Sequence, residues 1–214
     1  MKMKMKMKMK MKKGIALFAA VMMLMTLAAC GEDKNTAITR GIWSGSHYQN
    51  EFMALAFDLP EGWEAASDEE IAEAMGIAAE QVVGGRFRED YLKAQSIYDA
   101  MVWDAKNETG TSIIIMAENL TLSAGGTGYD EKAYADTAAE RLLAQDAGYE
   151  IGESRAVAFA GKEYYAMDAS LYEGRMHRCC LFCKEGNYMT SVIISYLPDL
   201  MALDLIFEMF GAAE

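Results

Sequence analysis

Histidine and proline are scarce in this sequence. Its 214 residues contain only two of each, and the histidines are His47 and His177. Sites that activate a serine or cysteine nucleophile with an imidazole base therefore have few candidate bases. The sequence also lacks the Gly-x-Ser-x-Gly turn that presents the nucleophile of α/β-hydrolases. These absences argue against a hydrolase of the common nucleophilic types.

Basic residues are few, and they are unevenly placed. The chain has 20 Lys and Arg against 32 Asp and Glu, and seven of the lysines lie in residues 1–13. Without residues 1–29, 13 basic residues face 32 acidic ones, which gives a formal charge of −19. Such a surface repels the phosphates of nucleic acids and the headgroups of anionic lipids. We therefore expect no nucleic acid partner.

No apolar run reaches the roughly 20 residues that a membrane-spanning helix needs. The longest runs from Gly14 to Ala29, directly after an alternating Met-Lys segment that ends in Lys12-Lys13. A cationic segment followed by a short apolar one is typical of a secretory signal peptide. The order predicts export of the remaining chain.

The apolar run ends in Leu27-Ala28-Ala29-Cys30, which resembles the lipobox of bacterial lipoproteins. The resemblance implies cleavage between Ala29 and Cys30 and attachment of a diacylglyceryl group, with palmitate-type chains, to the Cys30 thiol. Two acyl chains suffice for stable anchoring. The expectation is a lipoprotein of the cell envelope, on the extracytoplasmic face of the membrane. An ordinary secretory signal with a chance cysteine is the alternative.

The chain divides into a signal peptide (1–29), a short polar tether (30–38) and one α+β domain (39–214). Short runs of β-branched and aromatic residues alternate with turn residues such as Ala160-Gly161 and Glu185-Gly186-Asn187. The predicted order is ββααββαββββα. Short turns join antiparallel strands, so we expect a mainly antiparallel sheet of about six to eight strands flanked by helices.

Four helices are predicted within this order. Ser67 with Glu70 three residues later forms a capping box, which marks one helix start. A second helix is expected from about residue 78 to 93, and the clearest runs from Asp130 to Gln145. A last helix is expected after Pro198, with an apolar stripe that continues to Phe210.

Several motifs carry a family resemblance, and they run from Tyr48 to Tyr164. They are Tyr48-x-Asn50-Glu51-Phe52, Phe57-x-Leu59-Pro60-Glu61-Gly62-Trp63, Ser67-Asp68-Glu69-Glu70, Ile97-Tyr98-Asp99 and Gly161-Lys162-Glu163-Tyr164. The pattern resembles small lipoproteins of Gram-positive bacteria. Its Leu-Pro-x-Gly-Trp motif resembles that of the PsbP-like α/β/α sandwich. The resemblance implies a fold, but those relatives share no single chemistry.

The segment His177-Arg178-Cys179-Cys180-Leu181-Phe182-Cys183 offers soft metal donors. Side chains alternate along a strand, so Cys180 and Cys183 should point to opposite faces, while His177, Cys179 and Cys183 share one. This arrangement favours buried apolar cysteines. A disulfide, or a metal or redox site formed by His177, Cys179 and Cys183, remains the alternative.

We found no assembled catalytic set and expect no cofactor. Trp43, Tyr48 and Trp63 are candidates for a ligand-binding cleft, and Trp63 is expected to be largely buried beside the Pro60-Glu61-Gly62 turn. The sequence favours a non-catalytic binding or accessory module whose partner is an envelope protein or a small ligand. The alternatives are an envelope hydrolase with an acidic site and a metal or redox protein that uses Cys179, Cys180 and Cys183.

Overall fold

The structure, a computed structural model, describes residues 38–76, 94–106 and 108–213. Its strands, numbered in chain order β1 to β11, are Ile42–Ser44, His47–Asn50, Leu55–Asp58, Trp63–Ala65, Ser96–Asp104, Ser112–Asn119, Glu150–Phe159, Lys162–Leu171, Met176–Glu185, Tyr188–Tyr196 and Phe210–Gly211. The α-helices α1 to α3 are Asp68–Met75, Glu131–Leu143 and Leu203–Phe207. No helix of the described residues is long and apolar enough to span a bilayer.

The strands form two antiparallel sheets. The large sheet has seven strands in the order β4-β5-β6-β10-β9-β8-β7, and the small sheet has four in the order β1-β2-β3-β11. Tight turns join β7 to β8, β8 to β9 and β9 to β10, so these strands pair with their sequence neighbours. The pairing of β6 with β10 then joins the β5–β6 hairpin to this four-stranded ribbon. The predicted α+β class, with a mainly antiparallel sheet, is confirmed.

Side chains alternate between the two faces of the large sheet, and its central strands carry buried residues on both faces. Along β6, Ile113 and Ile115 belong to the core shared with the small sheet, whereas Ile114 and Met116 belong to a separate cluster with Ile71 of α1. We call the first side the sandwich face and the second the helix face. The helix α2 packs on the helix face further along the sheet, so the domain has three layers.

The helix starts follow their local sequence. Ser67 caps α1, since its side chain accepts from Glu70 N while the Glu70 side chain accepts from Ser67 N, which is the predicted capping box. Asp130 caps α2, where its carboxylate accepts from Ala133 N at 2.7 Å. Caps of this kind satisfy backbone donors that the first helical turn leaves without partners.

The sequence correctly predicted a helix after Pro198 but overestimated its length. The residues after Pro198 form only the five-residue helix α3, and Phe210 lies in β11, which pairs with β3 in the small sheet. The apolar stripe read as one helical face is instead shared between a short helix and an edge strand. Both elements bury their apolar residues against the same core.

Two other expectations for the first half of the domain need correction. The block from Thr39 to Leu59 contains three strands rather than two, and a further strand, β4, begins at Trp63. Trp63 packs against the core cluster but is half-buried rather than largely buried, because β4 is an edge strand. The helix predicted over 78–93 lies outside the described residues.

Candidate functional site

A cleft lies between α2 and the helix face of the large sheet. Its volume is about 90 Å³. Most of the wall is apolar and comes from Tyr98, Ile114, Met116, Tyr134, Ala138, Leu142, Met167, Cys180, Phe182 and Ile193. Four polar residues complete it, namely Arg141, Gln145, Arg178 and Ser191. A mostly apolar cavity with a few convergent polar groups is the usual form of a ligand site.

The helix side of the cleft follows from helical spacing. Tyr134, Ala138 and Leu142 are four residues apart, so they lie on one face of α2. Arg141 and Gln145 border this face at the carboxyl end of the helix. All five residues lie within the helix predicted from Asp130 to Gln145, which was not predicted to be a ligand site.

The start of α2 is fixed to the sheet by Lys184. Its ammonium donates to the carbonyl oxygens of Thr127 and Tyr129 at 2.7 and 2.6 Å. Its backbone N–H donates to Glu131 Oε1 at 3.0 Å. The helix that forms one wall of the cleft is therefore attached to β9, which forms the other, and both walls belong to regular elements.

Arg178 supplies a cation from the sheet side. It is 7% exposed, and it donates to Tyr149 Oη at 2.8 Å and to Ser195 Oγ at 3.2 Å. Its guanidinium carbon lies 5.3 Å from the centre of the Tyr149 ring, within the range of a cation–π contact. Burial raises the pKa of Tyr149, so the hydroxyl stays neutral beside the cation. These contacts fix the orientation of the guanidinium.

Glu118 connects the helix to the end of β6. This carboxylate is 2% exposed and accepts a hydrogen bond from Tyr134 Oη at 2.5 Å and another from Ser123 Oγ. Burial, followed by the Glu118 charge, raises the pKa of Tyr134 well above its ordinary value, so the phenol remains a donor. The second cation that lines the cleft is Arg141. Its Nη1 lies 3.8 Å from Glu118 Oε2.

The cysteines lie on β9, as predicted, and alternate between its faces. Cys179 and Cys183 belong to the sandwich-face core, and Cys180 belongs to the helix-face cluster and lines the cleft. All three are buried and free of disulfides. Burial raises the pKa of Cys180 to about 12 and that of Cys183 to about 11, and it also raises the pKa of Cys179.

Such thiols stay protonated at neutral pH, whereas redox and metal-binding cysteines react as thiolates. The raised pKa values therefore weigh against the redox alternative. His177 contacts the ring of Tyr196, with centroids 5.7 Å apart. Within residues 38–76, 94–106 and 108–213, no three side chains of His, Cys, Asp or Glu are grouped to hold a metal ion.

The three aromatic candidates lie away from the cleft. Tyr48 is fully buried in the sandwich-face core, and Trp43 packs on its ring with centroids 5.2 Å apart. Trp63 pairs with Asp104 across the β4–β5 edge. None of them is among the residues that line the cleft between α2 and the sheet.

The residues that the sequence reasoning missed are Arg141, Arg178 and Glu118. The available signal was Arg178, a charged residue directly before the apolar run Cys179–Cys183 of β9, since charged residues are rarely buried without a specific environment. Glu118 offered a similar signal at the end of the apolar strand β6. The sequence does not show, however, that α2 lies next to Arg178 and Glu118.

A second depression lies on the small sheet and has a volume of about 330 Å³. His47 Nδ1 lies 2.7 Å from Asp58 Oδ1 there, and the two side chains are 45% and 77% exposed. An ion pair this exposed is screened by water and contributes little stability. The pair lies on the open surface of the small sheet and not in an enclosed site.

Comparison with known proteins gives distant structural likenesses only. No family model matches the chain, and no curated protein matches it either. The solution structure of cyanobacterial PsbP (CyanoP) from Synechocystis sp. PCC 6803 aligns with 87% of this chain and 98% of its own, at 12% identity and a TM-score of 0.47.

Two further solved structures are more distant. The alignment with a protein of Bacteroides thetaiotaomicron VPI-5482 spans 79% of this chain and 49% of that protein's chain, at 11% identity and a TM-score of 0.39. The Pseudomonas aeruginosa protein PA94, of unknown function, covers 42% and 60%, at 16% identity and a TM-score of 0.30. Functions do not transfer across likenesses of this kind.

Proposed function

We propose that this protein is a non-catalytic binding module that takes a small, largely apolar ligand in the cleft between α2 and the large sheet. The observation that carries the proposal is the cleft itself, where apolar walls from a helix and a sheet meet four polar residues. Sites built on regular elements hold their geometry better than sites on loops. Here the attachment of α2 by Lys184 supports that geometry.

The test compares two substitutions on the same helix. Ala138 lines the cleft, whereas Ala133 is exposed near the start of α2. Ligand-observed NMR on the full chain would screen small aliphatic compounds in neutral, anionic and cationic forms. We expect Ala138→Phe to abolish binding of any hit and Ala133→Phe to leave it unchanged. Absence of any hit, or binding that survives Ala138→Phe at an unchanged melting temperature, would reject the proposal.

We further propose that the module works at the outer surface of a membrane, anchored by lipid on Cys30. The support is the lipobox-like Leu27-Ala28-Ala29-Cys30 after a cationic and apolar segment. The acidic remainder, of formal charge −19, has little electrostatic attraction to an anionic surface. Retention at the membrane would therefore have to be hydrophobic.

Cys30→Ser tests the anchor, because serine cannot form the thioether that carries the diacylglyceryl group. We expect the wild type to stay with membranes after a high-salt wash and the variant to be released or misprocessed. Cys183→Ser is the matched control, since it changes a core cysteine and should leave fractionation unchanged. An unmodified Cys30 in membrane-extracted protein, shown by mass spectrometry, would exclude the lipid anchor.

A further inference from the structure

The side chain of Ser191 lies on the floor of the cleft. Ser191 is 3% exposed and belongs to β10, in the middle of the large sheet. Within the part of the chain that the structure describes, its hydroxyl neither donates nor accepts a hydrogen bond. Buried polar groups normally have a partner, because the loss of water without a replacement costs free energy.

The other buried serine and threonine residues of the described chain are all hydrogen-bonded to protein groups. The pairs are Thr111 with the Thr109 carbonyl, Ser123 with Glu118, Thr190 with the Cys183 carbonyl and Ser195 with Arg178. None of these four lines the cleft, whereas Ser191 does. The buried hydroxyl without a protein partner is therefore the one that a ligand can reach.

Strand register places Ser191 between two apolar side chains. It lies opposite Met116 of β6 on one side and opposite Phe182 of β9 on the other, and both residues also line the cleft. Directly opposite residues of antiparallel strands lie on the same face of a sheet. The hydroxyl is thus the polar group in the middle of an apolar row.

We propose that the cleft binds small uncharged ligands that carry one carbonyl or hydroxyl oxygen, and that Ser191 donates a hydrogen bond to this oxygen. The hydrocarbon part of the ligand lies among the apolar side chains of the floor and of α2. The inference rests on the proposed function and specifies its ligand class.

The charged residues of the cleft wall already have partners. Arg141 Nη1 lies 3.8 Å from Glu118 Oε2, and Arg178 donates to two hydroxyl groups. A charged ligand would lose its hydration in a mostly apolar cleft, which costs far more than the desolvation of one carbonyl or hydroxyl group. An uncharged ligand loses less water, and Ser191 replaces what its oxygen loses.

The volume limits the size of the ligand. A cleft of about 90 Å³ is smaller than an engineered cavity of about 150 Å³ that binds benzene. The part of the ligand inside the cleft is therefore a short or branched group of a few carbon atoms and one oxygen. A long acyl chain does not fit.

The experiment uses the full chain and two compounds of the same shape, butanone and 2-methylbut-1-ene, in which a methylene group replaces the oxygen. Ligand-observed NMR titrations at pH 7 give the dissociation constants. We expect Ser191→Ala to weaken the binding of butanone about 5- to 50-fold, because the ligand oxygen is left without a partner. The affinity for the alkene should change less than about twofold, since it makes no hydrogen bond.

Ser170→Ala is the matched control, because Ser170 lies on β8 and does not line the cleft. It should alter neither affinity. Melting temperatures without ligand provide a second readout. Ser191→Ala should not lower the melting temperature more than Ser170→Ala does, since its hydroxyl has no protein partner to lose. A larger fall would show that the Ser191 hydroxyl is already bonded within the protein, and would overturn the inference.

The binding outcomes separate this inference from the proposed function. If both compounds bind, are blocked by Ala138→Phe and keep their affinities in Ser191→Ala, the cleft uses apolar contacts alone, so the inference fails and the proposed function stands. The same conclusion follows if the alkene binds and butanone does not.

Tyr98, 6% exposed, carries another hydroxyl at the cleft wall. A loss of butanone binding in Tyr98→Phe but not in Ser191→Ala would place the ligand oxygen there and overturn the role of Ser191. If neither compound, and no member of the wider panel, binds to the cleft, both proposals fail together.

Discussion

The hydroxyl of Tyr48 donates a hydrogen bond to the carboxylate of Asp99, 51 residues further along the chain and in the other sheet. Asp99 is 2% exposed and also accepts from Asn50 Nδ2 at 2.7 Å and from Gly41 N at 3.0 Å. A β-carbon on Gly41 would overlap the Tyr48 ring, so glycine is required where the chain enters the domain. This polar cluster joins the two sheets at the start of the domain.

We expect Tyr48→Phe to reduce the free energy of unfolding by about 1–3 kcal/mol, because it removes a donor from a buried carboxylate. Urea denaturation at pH 7 measures the loss. Tyr172→Phe is the matched control, since Tyr172 is 54% exposed and its replacement should cost less than about 0.5 kcal/mol. Equal stability of the two variants would show that the Tyr48–Asp99 contact contributes nothing.

The hydrogen bonds to Asp104 predict that the stability of the protein falls at acid pH. Burial favours the neutral acid, but hydrogen bonds from Thr109 N at 2.6 Å, Thr109 Oγ1 at 2.9 Å and Lys106 N at 3.1 Å outweigh it and lower the pKa of Asp104. A group whose pKa is lower in the folded state stabilises the protein above its unfolded pKa of about 3.9. That stabilisation is lost as the pH falls through the folded-state pKa.

We therefore expect Asp104→Asn to destabilise the protein at pH 7 and the difference from the wild type to shrink below about pH 4. Urea unfolding at several pH values, within the range where both proteins fold, measures this. Asp136→Asn alters an exposed carboxylate on α2 and should change the stability at pH 7 much less. A difference for Asp104→Asn that does not change with pH would contradict the assignment.

The cysteines of β9 should react slowly with thiol reagents in the folded protein. Burial raises the pKa of Cys180 to about 12 and of Cys183 to about 11, so little thiolate is present at pH 8. In a Cys30→Ser background we expect three thiols to react rapidly in urea and only slowly without it. Cys183, 9% exposed, should react first in the folded state. Rapid native reaction of Cys180 would show that the cleft opens to the reagent.

The different burial of Phe57 and Trp63 predicts which of their alanine substitutions costs more stability. Phe57 is 1% exposed and packs against Phe210 with ring centroids 4.8 Å apart, so Phe57→Ala should cost about 3–5 kcal/mol. Trp63 is half-buried on an edge strand, so Trp63→Ala should cost less despite the larger side chain. Melting temperatures of the two variants test the order. A larger loss for Trp63→Ala would mean that β4 contributes more than its exposure indicates.

Local sequence signals predicted much of the domain. Runs of β-branched and aromatic residues between turn residues predicted the antiparallel strands, and the starts predicted at Ser67 and Asp130 match those of two helices. These signals work because a strand or a helix start depends on residues only a few positions apart. The alternation also placed Cys180 on the opposite face from Cys179 and Cys183.

The end of the chain shows where such signals fail. The stripe that continues to Phe210 fits a helix by its spacing, yet Phe210 pairs with Phe57 as a strand. A short apolar segment is compatible with either structure, and its neighbours in space decide between them. Here the free edge of β3 provided a partner for backbone hydrogen bonds.

The antiparallel hairpins and the starts of α1 and α2 follow from the sequence alone, because each depends on residues only a few positions apart. The pairing of β6 with β10 and the packing of α2 across β7, β8 and β9 arise only in the folded domain. That arrangement brings Arg141, Arg178 and Cys180 to one cleft. Contacts between residues far apart in sequence depend on how complete faces pack, and no short motif records that packing.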